Sequence, residues 1–227
     1  VYCSGCGVPG PRVKAEQAAM PLLLGCDFSG SPSRQKMIVI ATGRLVDDGV
    51  ALSNLEFFTS LDAWVARLAQ PGERWVGGFD MPFGLPRELV QTLGWPTDWA
   101  ACMDHYQSLS RADIRSTFKA FCAARPVGHK FAHRATDGPA GSSPSMKWVN
   151  PPVAFMLHAG VPLLRQASVY LPGLMPTPVQ PPERVALEAY PGLLARAVLG
   201  RRSYKSDDKA RQTPDRLHAR QALLAAL

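Results

Sequence analysis

Three short apolar runs in this chain each end at a carboxylate, and that recurrence restricts the fold more than any other feature. The first is Pro21 to Asp27. The second is Arg74 to Phe79, followed by Asp80. The third is Arg184 to Ala189, which holds Glu188. Each has the length of a strand. A carboxylate among apolar neighbours is costly unless it is paired or bound to a cation. In an open α/β sheet, ligand crevices lie beyond the carboxyl ends of the strands. If the three runs are neighbouring strands, Asp27, Asp80 and Glu188 converge there as catalytic and metal-holding residues. Hard oxygen donors of that kind suit Mg²⁺ or Mn²⁺, which can activate water and stabilise the leaving oxygen in phosphodiester cleavage. Each acid also has a structural alternative. Asp27 can brace the turn Phe28–Ser33, Asp80 can hold the loop Met81–Pro86, and Glu188 can pair with an arginine.

The intervening segments predict how these strands connect. Lys36 to Ala41 is rich in β-branched residues, and Asp47-Asp48-Gly49 turns the chain into a further strand, Val50 to Phe58. From Ser60 to Leu68 the apolar positions 61, 64, 65 and 68 have helical spacing, with Thr59 or Ser60 as the cap and Pro71-Gly72 as the stop. The order is therefore β-β-β-α-β, and a helical crossover joins parallel neighbours. Residues 87–158 read as helical and irregular, Pro126–Pro144 as a long basic loop, and Pro172–Pro182 as extended. After the Arg184 strand come helices at Pro191–Leu199 and from Pro214 onward. The expectation is an α/β domain over 20–227 with a mixed five-stranded sheet, three antiparallel strands and then parallel ones, flanked by helices. A helical and loop insertion occupies about 87–182. Residues 1–19 are expected to be a disordered or non-native segment, with Met20 as the natural start. The C-terminal helix is expected to be truncated, because its apolar pattern ends without a stop signal.

With 227 residues, 46% of them hydrophobic, the chain has ample apolar mass for one core. No apolar run approaches the roughly 20 residues of a membrane-spanning helix, and no secretory apolar region opens the chain. A cytoplasmic protein with no membrane partner is the expectation. The five cysteines show no disulfide spacing. Cys3 and Cys6 form a lone CxxC without a second pair to complete a zinc site, and Cys26, Cys102 and Cys122 read as core residues. Residues 1–107 hold 8 Lys/Arg against 11 Asp/Glu, whereas residues 108–227 hold 17 against 7. A basic half facing an acidic cluster suits an anionic substrate at a metal site, and a basic solvated surface explains it equally.

The segments LLLGCDFSGS, WVGGFDMPFGLP and VALEAYPG resemble the three signature blocks of the DUF429 family, predicted nucleases with a ribonuclease H-like fold. The second block, an apolar strand running into Asp-x-Pro-Phe-Gly-Leu-Pro, is the most specific. The resemblance spans Leu22 to the C-terminus and is weakest in the middle third. It implies a ribonuclease H-like sheet with Asp27, Asp80 and Glu188 at its acidic centre. The family pattern continues into a C-terminal helix with an Asp-Ala-x-Asp-Ala-type motif that would add a fourth carboxylate. Here Asp215 to Leu227 resembles the helix before that one.

Further candidates are basic. Lys130 and Arg134 in the long loop can bind nucleic-acid phosphates, and Lys147 with Trp148 can pair a cation with a base-stacking ring. Arg201 and Lys205 form a second phosphate-binding candidate, with a cationic helix C-terminus as the alternative. Ser29 can contact a phosphate or serve its turn. His129 and His133 can move protons at neutral pH. The leading expectation is a Mg²⁺- or Mn²⁺-dependent nuclease acting on DNA or RNA. A non-catalytic nucleic-acid-binding relative is the first alternative. The second is an ATP-dependent phosphotransferase of the actin and sugar-kinase type, suggested by Asp27-Phe28-Ser29-Gly30-Ser31. Such enzymes need two core domains and a second glycine-rich loop, which 227 residues do not supply. No G-x-S-x-G elbow, Walker A loop or HExxH occurs.

Overall fold

The computed structural model describes residues 20–226, except Asp48 and Asp207. The CxxC pair, the expected N-terminal segment 1–19 and part of the Asp47–Gly49 turn lie outside the described residues. The described chain forms one five-stranded mixed sheet in the order β3-β2-β1-β4-β5. β1 (Leu22–Asp27) lies at its centre, antiparallel to β2 (Ile38–Val46) and parallel to β4 (Trp75–Phe79). β2 pairs antiparallel with β3 (Gly49–Phe58), and β4 pairs parallel with β5 (Arg184–Glu188).

One face of this sheet carries the core. Side chains alternate along a strand, so Leu24 and Cys26 of β1, Ile38 and Ile40 of β2, and Trp75 and Phe79 of β4 point the same way and are buried. Helix α1 (Leu61–Leu68) covers them, with Ser60 accepting from the Ala63 amide at 3.2 Å as its cap. Its Trp64 ring lies 4.9 Å from Phe28 and edge-on to Phe79 at 6.2 Å. The Arg67 guanidinium, held by Glu56 and Glu73, ties α1 back to β3.

Between β4 and β5 the chain inserts α2 (Arg87–Thr92), α3 (Trp99–Ser108), α4 (Arg111–Ala123), the single turn α5 (Asp137–Ala140) and α6 (Val153–Gln166). Helix α6 runs well past His158, where the helical sequence pattern fades, and it carries Pro162 in its interior. The pyrrolidine removes one helical donor. Burial of Phe155, Leu157, Val161 and Leu164 against α3 and α1 keeps the helix intact nonetheless. After α6, Tyr170 makes a parallel bridge to Val185, covering the outer edge of β5. The described chain finishes with α7 (Pro191–Leu199) and α8 (Pro214–Ala225). The second face of the sheet is apolar and largely open among the described residues, with Leu55, Phe57 and Leu187 exposed. No helix of the described residues is long and apolar enough to cross a membrane.

Candidate functional site

The central strands place two of the three expected acids together. In the parallel β1–β4 ladder Cys26 lies level with Phe79, so Asp27 lies level with Asp80 one residue further on. The ladder continues to that level, because the Asp80 amide donates to the Cys26 carbonyl at 2.9 Å. Parallel neighbours lie about 4.8 Å apart, so the two carboxylates leave the same face side by side. Asp27 is exposed and Asp80 is half-buried. Neither forms an ion pair among the described residues. Burial raises the Asp80 carboxyl above the ordinary aspartate value; Lys205 opposes the rise, and the charge of Asp27 adds to it. Cys26, directly beneath, is pushed up to about 12, chiefly by burial, and is an inert core thiol. Cys102 and Cys122 are likewise buried, and neither forms a disulfide among the described residues.

Glu188 does not join this pair. It is level with Phe79, not with Asp80, so strand alternation turns it to the helix-covered side. There Arg134 donates to both of its oxygens at 2.7 Å, and the Phe83 amide adds a bond at 3.0 Å. Arg134 also donates from Nε (3.0 Å) and Nη2 (2.8 Å) to Asp137, whose carboxylate is fully buried. Burial works against the Arg134 charge, but its bonds to Glu188 and Asp137 outweigh that and raise its pKa. Among the described residues no group of three or more His, Cys, Asp or Glu is arranged to hold a metal ion.

The remaining candidates divide by their surroundings. Arg134, expected to bind phosphate, spends its guanidinium fork on Glu188 and Asp137. Ser29 is buried, and its hydroxyl accepts from the Ser31 amide at 3.4 Å, the turn-forming role. Trp148 is half-buried, tilted against Phe131 at 5.7 Å, and packs on the core. Lys147 is half-buried beside it, whereas Lys130, His129 and His133 are exposed. Arg201 and Lys205 are exposed, and Lys205 is near enough to act on Asp80. The 201–206 segment is fastened to α8 by Arg216, which donates to Ser203 at 3.2 Å, and by Arg220, which donates to the Tyr204 carbonyl at 2.9 Å. Basic charge therefore does stand beside the carboxylate pair, but it comes from Lys205 and not from Arg134.

Two residues passed over by sequence reasoning shape the site. Asp137 is the buried anchor of Arg134, signalled only by the i,i+3 spacing of the two. Arg111, at the start of α4, donates to the Gly30 carbonyl at 2.6 Å and to Ser31 Oγ at 2.8 Å, pinning the turn that follows Asp27. Gly30 itself is pressed against α6: a Cβ there would stand 2.7 Å from the Phe155 carbonyl oxygen. Gly30→Ala is expected to lower stability by about 1–3 kcal/mol, the usual cost of overpacking against backbone. Urea unfolding checks this, and an unchanged midpoint would mean that the turn slides freely over α6.

Compared with protein-family models, with curated proteins and with solved structures, the chain matches none.

Proposed function

We propose that this protein is a divalent-metal-dependent nuclease of the ribonuclease H-like type, as the resemblance of its strand-end segments to the DUF429 family implies. The observation that carries the reading is the level pair Asp27–Asp80. Two adjacent carboxylates, one half-buried and neither ion-paired among the described residues, repel each other until a cation lies between them. The donor set fits Mg²⁺ or Mn²⁺. Mg²⁺ in particular is commonly held by one or two carboxylates, its remaining positions going to water and substrate phosphate. The strand order and directions also agree with what the resemblance implies, three antiparallel strands continued by parallel ones.

In this scheme Asp27 and Asp80 hold the ion, and Glu188 remains with Arg134. The ion, when bound, supplies charge neutralisation at a phosphodiester and lowers the pKa of water. The chain's own residues do the rest. Lys205, beside Asp80, attracts the polyanion to the carboxyl end of the sheet by sequence-independent contacts, and the exposed Arg201 adds positive charge to the same 201–206 segment. The Gly30–Ser31 turn, clamped by Arg111, fixes the backbone that carries Asp27. Capture of Glu188 by Arg134 favours a second reading, nucleic-acid binding without cleavage.

A cleavage screen in Mn²⁺ and Mg²⁺ on labelled single-stranded, duplex, hybrid and branched DNA and RNA separates the two. Cleavage that disappears in Asp27→Asn, with metal binding lost by calorimetry, supports the nuclease. Nucleic-acid binding with neither cleavage nor metal binding would leave the second reading standing.

A further inference from the structure

We propose that the cavity behind the Phe83–Leu85 loop is a nucleotide pocket that takes one unpaired base between apolar walls, with its phosphate at Arg87. This deepens the nucleic-acid reading above and rests on it. The cavity measures about 420 Å³, within the ~300–1,000 Å³ usual for small-ligand sites. It lies between the loop after β4, helices α2 and α3, and the Arg134–Glu188 pair. Phe83, Leu85, Val90, Trp99 and Met103 make its lining largely apolar and partly aromatic. The Trp99 indole is held in place, because its Nε1 donates to the Phe83 carbonyl at 2.8 Å.

The polar groups narrow the ligand. Arg134 and Glu188 line the cavity, and this one cation is shared between two carboxylates, Glu188 and Asp137, so the cluster keeps an excess negative charge. Glu188 Oε2 accepts twice, from Phe83 and Arg134, whereas Oε1 accepts once. A carboxylate oxygen has room for about two donors, so Oε1 retains an acceptor site, on a side chain 35% exposed. A ligand that presents an acidic group or bare hydrocarbon to Glu188 leaves that site repelled or unsatisfied. A flat ring with N–H groups along one edge satisfies it, and purine and pyrimidine bases have that edge. At the cavity's rim Arg87 is exposed and has no ion pair among the described residues; Glu88 beside it is taken by Arg125. A cation there suits the phosphate of the same nucleotide.

The pocket also fits the layout of the sheet end. Glu188 faces the helix-covered side and Asp80 the open side, and the short Asp80–Phe83 segment joins them. A strand with one base in the pocket can pass its next phosphates over the end of β4 toward Asp27 and Asp80. A base that enters such a pocket must be unpaired, so the proposal assigns single-stranded ends or loops as the substrate.

The test is calorimetric titration of the metal-free full chain with GMP, AMP, guanosine and inorganic phosphate. GMP and AMP should bind saturably below millimolar concentration, guanosine more weakly, and inorganic phosphate not at all. Arg87→Ala should weaken the nucleotides about tenfold, the loss of one charge-assisted contact, while leaving guanosine unchanged. Thr97→Trp fills the cavity from an exposed wall position, so the fold should survive it and all nucleotide binding should vanish. No saturable heat from GMP or AMP on folded protein overturns the proposal, and so does binding that persists in Thr97→Trp. Because no metal is present, the result is independent of cleavage. Nucleotide binding without cleavage in the metal screen would keep the pocket and remove the nuclease, whereas cleavage without nucleotide binding would do the reverse.

Discussion

Asp80→Asn is expected to reduce Mn²⁺- and Mg²⁺-dependent cleavage by about a hundredfold or more, the scale on which removal of a preorganised charge-stabilising group acts. Stability in the absence of metal should be unchanged or higher. Asn keeps the shape of the side chain but removes a half-buried charge beside Asp27. The pH dependence follows from the same displacement. The folded carboxyl titrates above its ordinary value of 3.8, so its ionised form costs stability. That cost is complete above the folded pKa, is relieved as pH falls through it, and is gone below the unfolded value. Wild-type protein should therefore gain stability relative to Asp80→Asn as pH is lowered from neutral to about 4. Thermal unfolding of both proteins in chelator checks this. A large loss of stability in Asp80→Asn without metal would assign the residue to anchoring its loop, and the catalytic scheme would then lose its central ligand.

Arg134→Ala carries the largest stability effect, an expected loss of about 3–5 kcal/mol, typical of removing one partner from a buried ion pair. Its guanidinium bonds the fully buried Asp137 and bridges it to Glu188, so the truncation leaves a carboxylate inside the protein without a counter-charge. Arg134→Lys should recover little, because an ammonium cannot supply the two-sided fork. The double variant Arg134→Leu/Asp137→Leu should recover part of the loss, since it removes the stranded buried carboxylate while still leaving the partly exposed Glu188 without its arginine. Urea denaturation of the three variants measures these differences. A loss below about 1 kcal/mol for Arg134→Ala would place the cluster with surface pairs.

The same cluster shows where sequence reasoning reaches and where it ends. Apolar runs of strand length, and helical spacing at Leu61, Trp64, Val65 and Leu68, depend on neighbours a few residues apart, so they are legible from the chain alone. Helix α6 was only partly legible: Pro162 argues locally against a helix, and burial of Phe155, Leu157 and Val161 overrides it. That Asp27 ends β1 and that Asp80 directly follows β4 shows in the chain itself. The position of Glu188 does not. It depends on the β4–β5 register, where a difference of one residue moves a side chain to the opposite face.

By itself, then, the sequence determined the five strands and the helices outside the 87–182 insertion, that β1, β4 and β5 each end near a carboxylate, and that basic charge gathers in the second half. These are matters of local periodicity and composition. Only the tertiary structure decided that two of the acids stand together while the third is neutralised by Arg134, and that the cation beside Asp80 is Lys205. Partners 54 residues apart, as Arg134 and Glu188 are, meet because of sheet register and the packing of a long insertion. Those depend on contacts throughout the domain, and no window of local sequence contains them.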